Sequence, residues 1–135
     1  MANAIYPLYK QALLDGAANT DINDLTVKVA LVDTGGGGYT YSAAHEFLTS
    51  LTGVVGTAQT INATTVVNGL FDGDNVTYSA VTGNSVEALV IYIDTTVAGT
   101  SRLVAFIDSG VTGFPVTPNG GDITVTWNVS GIFQL

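Results

Sequence analysis

Ile123, Val125, Trp127 and Val129 alternate strictly with Thr124, Thr126 and Asn128, a period of two that only an extended strand with one buried face satisfies. Val76, Tyr78 and Ala80 repeat the pattern against Thr77 and Ser79. Glu87–Ile93 and Leu103–Ile107 are almost continuously apolar, as expected of central strands covered on both faces. Val54–Ile61, Thr64–Phe71 and Asn75–Val81 are further candidate strands, divided by clusters of Gly, Asn and Asp. Short strands punctuated in this way imply an antiparallel β-sandwich or a barrel-like domain.

The first third adds helix to this mainly β plan. Ile5, Leu8, Tyr9, Ala12 and Leu13 fall at helical spacing, with Lys10, Gln11 and Asp15 opposite. Pro7 suits a first turn and Gly16 a left-handed cap, so an amphipathic helix is expected from Asn3 or Pro7 to about Asp15. Leu25–Asp33 reads as a strand that ends at Gly35–Gly38. Ser42, with Glu46 placed as in a capping box, predicts a second, short helix from Ala43 to about Leu51. No linker or repeat interrupts the pattern, and residues 1–135 read as a single domain.

Composition narrows the function. Apolar residues make up 47% of the chain and charged residues only 10%, well below the roughly 25% of ordinary soluble domains. The exterior must be largely Thr, Ser, Asn and Gly, or be partly hidden against other subunits. Eleven Asp plus Glu oppose only Lys10, Lys28 and Arg102, too few cations to track phosphates or an anionic membrane surface. Cysteine is absent, which excludes thiol catalysis and thiolate metal sites. No apolar run reaches membrane-spanning length, and MANAIYPLYKQALLDG lacks the basic and apolar regions of a signal peptide.

No motif for chemistry is complete. His45 is the single histidine; it lacks a G-x-S-x-G partner, and His45-Glu46 lacks the second histidine of a metalloprotease helix. Gly35–Gly38 is followed by Tyr39-Thr40-Tyr41 rather than the Lys and Ser/Thr of a phosphate loop. Asp72-Gly73-Asp74-Asn75 and Asp21-Ile22-Asn23-Asp24 offer oxygen ligands, yet neither completes a calcium loop, and Asp and Asn are the usual turn formers. Asp33, Asp94, Asp108 and Asp122 sit at strand ends, where acids terminate strands. We therefore expect no enzyme, no cofactor and no catalytic or metal-binding residue.

Four blocks carry a resemblance: NAIYPLYKQALLDG, TVKVALVDT…YTYSAAHEFLTSL, VVNGLFDGDNVTYSAVTGNSVEALVIYIDT and TGFPVTPNGGDITVTWNVSGIFQL. In this order, over almost the whole chain, they resemble a family of small virion structural proteins of tailed bacteriophages. The resemblance implies a capsid decoration (cement) protein on the outside of the head, made in the host cytoplasm. Its implied partners are further copies of itself, as trimers, and the major capsid protein, with no direct nucleic-acid or membrane contact. A tail, neck or fibre component is the alternative within that family. A β-sandwich carbohydrate-binding module is the alternative outside it and would show aromatic residues clustered on one exposed face.

Three segments are the expected contact surfaces. They are the N-terminal segment with Ile5, Tyr6, Leu8 and Tyr9, the loop Gly35–Tyr41 with Tyr39 and Tyr41, and the end with Ile132, Phe133 and Leu135. The glycine loop should gain order mainly from a partner, so replacing Tyr39 and Tyr41 with Ser is expected to leave the melting temperature nearly unchanged. The apolar C-terminal residues are too costly to leave in water, each worth roughly 1.5–3 kcal/mol when buried. The Ser130-Gly131 break favours holding them as a last strand of the domain's own sheet.

Overall fold

The computed structural model describes residues 3–135. The chain forms β1 (Ala4–Ile5), α1 (Pro7–Asp15), β2 (Val27–Val32), β3 (Val54–Thr60), β4 (Thr65–Val67) and β5 (Leu70–Asp72). It continues through β6 (Val76–Tyr78), β7 (Ala88–Ile93), β8 (Leu103–Ile107), β9 (Ile123–Val125) and β10 (Phe133–Gln134). The protein is mainly β, with every strand pairing antiparallel. The unbroken apolar runs occupy the middle of the largest sheet, ordered β1-β8-β7-β2-β3. All residues of β7 and β8 are buried, as two covered faces require. This sheet ends on β1 and β3 and does not close into a barrel.

Cross-strand register assigns the faces. Val29, Ile91 and Ala105 lie abreast, as do Leu31, Leu89 and Ile107. Ala30, Val90 and Phe106 line up on the opposite face. Two smaller sheets, β10-β5-β4 and β6-β9, add Phe71, Val76, Tyr78, Ile123 and Val125 to the same core. Tyr78 donates its hydroxyl to the Val29 carbonyl at 2.6 Å, tying β6 to β2. Trp127 is buried and donates Nε1–H to the Asp74 carbonyl at 2.9 Å.

The helix forms over Pro7–Asp15, whereas Ile5, which the spacing included, pairs with Ala105 in β1. Pro7 opens the helix, and Gly16, with φ of 66°, caps it by donating its N–H toward the Ala12 and Leu13 carbonyls. Tyr9 and Ala12 face inward. The second expected helix, Ala43–Leu51, is not formed. Ser42 Oγ accepts the Ala44 N–H at 3.2 Å and closes only a turn. Phe47 is extended and bridges Arg102, and a single 3-10 turn, Leu48–Ser50, follows. The local capping signal loses to long-range pairing. Leu103 N–H reaches the Glu46 carbonyl and Leu48 N–H the Ser101 carbonyl, bonds a helix would forfeit. Glu46 Oε1 meets Arg102 Nη1 at 2.9 Å instead of turning back to a helix cap.

Three strands differ in extent from the sequence reading. Asn75–Val81 is paired only over Val76–Tyr78, because Ala80 takes a positive φ of 50° and turns its exposed side chain out of the alternation. Thr64–Phe71 is a hairpin rather than one strand, because Asn68 and Gly69 both take positive φ, 53° and 79°, and reverse the chain between β4 and β5. The alternating run from Ile123 pairs only as far as Val125. Beyond it Asn75 Oδ1 takes the Trp127 N–H in place of a ladder carbonyl, and Val129 is fully exposed.

Candidate interaction surface

The N-terminal helix and the last strand come together. β1 pairs with β8 and leads directly into α1, while β10 pairs with β5. The C-terminal residues are held by the chain's own sheet, as the Ser130-Gly131 break suggested. Ile132 N–H reaches the Phe71 carbonyl at 2.8 Å, and Leu135 N–H reaches Gly69 at 3.0 Å. Phe133 packs on Phe71 with ring centroids 5.2 Å apart.

Between these two elements lies an open groove of 470 Å³, lined by Ile5, Lys10, Leu13, Leu14, Gln134 and Leu135. Leu14 is 90% exposed and Leu135 58% exposed. An adjoining recess of 270 Å³ shares Ile5 and Gln134 and reaches Ile132, Phe133 and Ala105. The groove is thus apolar, with Lys10 its single charged side chain. Leu14 escaped the sequence reading, although a signal was present: it falls on the helix face of Lys10, Gln11 and Asp15, where an apolar residue has nothing of its own chain to cover it.

The other expected contact residues divide. Leu8, Tyr41, Ile132 and Phe133 are half-buried. Tyr6, Tyr9 and Tyr39 are enclosed in the core. Tyr9 donates its hydroxyl to the Thr20 carbonyl at 3.0 Å. The Tyr6 and Tyr39 hydroxyls lie 2.8 Å apart, and the Tyr39 hydroxyl is 2.7 Å from His45 Nδ1. Tyr41 stacks between Tyr6 and Phe106, at 5.1 and 5.4 Å. Burial raises the Tyr6 hydroxyl far above its ordinary range, with the Tyr39 hydrogen bond adding to it, and burial raises Tyr39 as well. Both act as neutral hydroxyls.

The glycine loop is ordered by its own chain, contrary to expectation. Gly38 N–H bonds the Gly35 carbonyl at 2.6 Å, and Tyr39 N–H bonds the Asp33 carbonyl at 2.8 Å. A methyl group on Gly38 would sit 2.2 Å from that carbonyl oxygen, so the loop closes only around glycine. Asp33 Oδ1 accepts the Gly35 N–H at 2.7 Å and Oδ2 the Asn84 amide at 3.0 Å. The Gly35 N–H, chiefly, holds its carboxyl below the usual carboxylate range.

Four further acids are engaged locally. Asp94 accepts from Thr96 N–H and meets Lys28 Nζ at 3.1 Å, and both hold its carboxyl low. Asp21 Oδ1 accepts from Asn23 and Asp24 N–H, and Asp72 Oδ1 accepts from Gly73 N–H. Asp122 Oδ1 accepts from Ala80 N–H. These are turn and strand-end bonds. Among the described residues, no three His, Cys, Asp or Glu side chains converge as a metal-binding group. Among them, too, no helix is long and apolar enough to cross a membrane. The chain matches no protein-family model and no curated protein.

Proposed function

We propose that this chain is a non-enzymatic structural subunit of a tailed-phage virion, a capsid decoration protein that binds the major capsid protein on the head exterior as a homo-oligomer. The observation that supports this reading best is the groove between α1 and β10, where Leu14 and Leu135 stand exposed on a chain with few charges to solvate them. Burying one leucine on a partner contributes roughly 1.5–3 kcal/mol, and repetition over many shell positions multiplies the effect. The two small sheets share one core with the large sheet, and we read that arrangement as a sandwich.

A carbohydrate-binding module fits less well. Every Tyr, Phe and Trp is buried or half-buried, so no aromatic platform faces solvent. The test is incorporation into particles. Leu14→Asp is expected to keep the melting temperature and far-ultraviolet circular dichroism of the parent while disappearing from purified virions by mass spectrometry. Incorporation of the variant at parental copy number would refute the groove as the docking surface. Absence of the parental protein from particles would refute the reading altogether.

A further inference from the structure

The hairpin β4–β5 projects one edge with nothing beside it. In the sheet β10-β5-β4, β5 is flanked on both sides, while β4 and the two-residue β10 are its margins, β4 the longer of the two. Thr65, Val66 and Val67 are all exposed, Val66 at 43% and Val67 at 62%. Val66 lies abreast of Phe71, and Phe71 abreast of Phe133, so Val66 belongs to the face that carries the Phe71–Phe133 stack. It is exposed because the sheet stops there.

The edge also has its backbone free. Val67 and Leu70 close the two-residue turn, so Val67 and Thr65 aim their N–H and C=O groups at β5 and Val66 aims its own outward. No hydrogen bond joins Val66 to another element among the described residues. Edges are ordinarily guarded by a charge, a proline or a bulge, and β4 has none of these. By contrast β3, an edge of the large sheet, is bent by a register shift.

Charge decides what can lie against it. The chain carries a net charge of −8, so two copies repel wherever their acids meet. Ile61 to Phe71 contains no charged residue, β4 lies inside that span, and the acid nearest in register, Asp72 abreast of Thr65, is on β5, one strand in from the edge. We propose that β4 pairs antiparallel with β4 of a second copy about a twofold axis, joining two three-stranded sheets into one of six. Val66 then faces its symmetry mate with reciprocal N–H···O bonds, and Thr65 faces Val67 of the other copy. The inference supplies a contact for the homo-oligomer of the proposed function and makes that contact twofold, where the resemblance implied trimers. It is tested on the isolated protein, so its failure leaves the particle-docking result standing, and the reverse.

The absence of cysteine makes the register directly measurable. Thr65 and Val67 of opposite copies would occupy a non-hydrogen-bonded pair, with Cα atoms about 4.5 Å apart, within disulfide reach. Thr65→Cys protein mixed with Val67→Cys protein is expected to cross-link under mild oxidation, with each variant alone cross-linking several-fold more slowly. Val66→Pro removes only the outward N–H, and is expected to abolish the dimer in sedimentation velocity with the circular dichroism spectrum retained. Equal cross-linking in mixed and unmixed samples overturns the proposal. So does a parent protein that sediments as a monomer at every concentration.

Discussion

The Tyr6–Tyr39–His45 chain permits a quantitative test of how the glycine loop is anchored. Tyr39→Phe preserves the buried ring, 2% exposed, and removes the hydroxyl that contacts both Tyr6 and His45 Nδ1. His45 is half-buried and can take water in exchange, but Tyr6 is 0% exposed and its hydroxyl would be left without a partner. An orphaned buried hydroxyl costs about 1–3 kcal/mol, so we expect Tyr39→Phe to destabilise by about 2 kcal/mol. Tyr6→Phe leaves Tyr39 its bond to His45 and should cost about 1 kcal/mol. The double variant orphans neither tyrosine hydroxyl, and should cost about 1 kcal/mol less than the sum of the two. Urea unfolding followed by fluorescence of the single tryptophan, Trp127, reads all four proteins. Additivity within about 0.3–0.5 kcal/mol would show that the hydroxyls are not coupled. A Tyr39→Phe protein as stable as the parent would remove the anchor from the account.

Three further outcomes follow from the same geometry. Gly38→Ala should unfold or strongly destabilise the protein, since its methyl group meets the Asp33 carbonyl at 2.2 Å, whereas Gly36→Ala, with open space around it, should cost under about 1 kcal/mol; thermal melts compare the two. Arg102→Met keeps the stem but removes the bonds to Glu46 and to the Ala18 carbonyl and the stacking on Phe47, and should cost about 1–3 kcal/mol in urea titration. Burial holds Tyr6, Tyr39, Tyr78 and Tyr92 above the ordinary tyrosine value of 10.0 and pushes Tyr9 up to about 12. The unfolded chain therefore releases these protons first. Stability is complete below about pH 10 and falls as pH rises above it; a urea midpoint unchanged between about pH 9 and 11 would contradict this.

Much of the architecture was legible because local periodicity reports burial. A run such as Ala88–Ile93 is stable only with both faces covered, and the spacing Tyr9, Ala12 with Gly16 behind it describes a capped helix without reference to anything distant. The apolar end of the chain likewise called for pairing, and β10 half-buries Ile132 and Phe133 within the fold while Leu135 stays exposed. Asn68-Gly69 was a readable hairpin signal inside Thr64–Phe71, and its positive φ values are what divide that segment. What local pattern could not decide was which of two satisfactory arrangements the rest of the molecule would choose. Ala43–Leu51 has a helix-start signal, yet Phe47 and Leu48 gain more by pairing beside Arg102, some fifty residues away in sequence. Tyr39 follows four glycines, a context that reads as loose, and only the meeting of that loop with Tyr6 and His45 buries it. Val66 shows the converse: it sits in an apolar run that suggests cover, and only the folded arrangement reveals that the sheet stops at β4. Periodicity is a property of one backbone segment, whereas cover and pairing are properties of two, and the second segment is supplied by the tertiary structure alone.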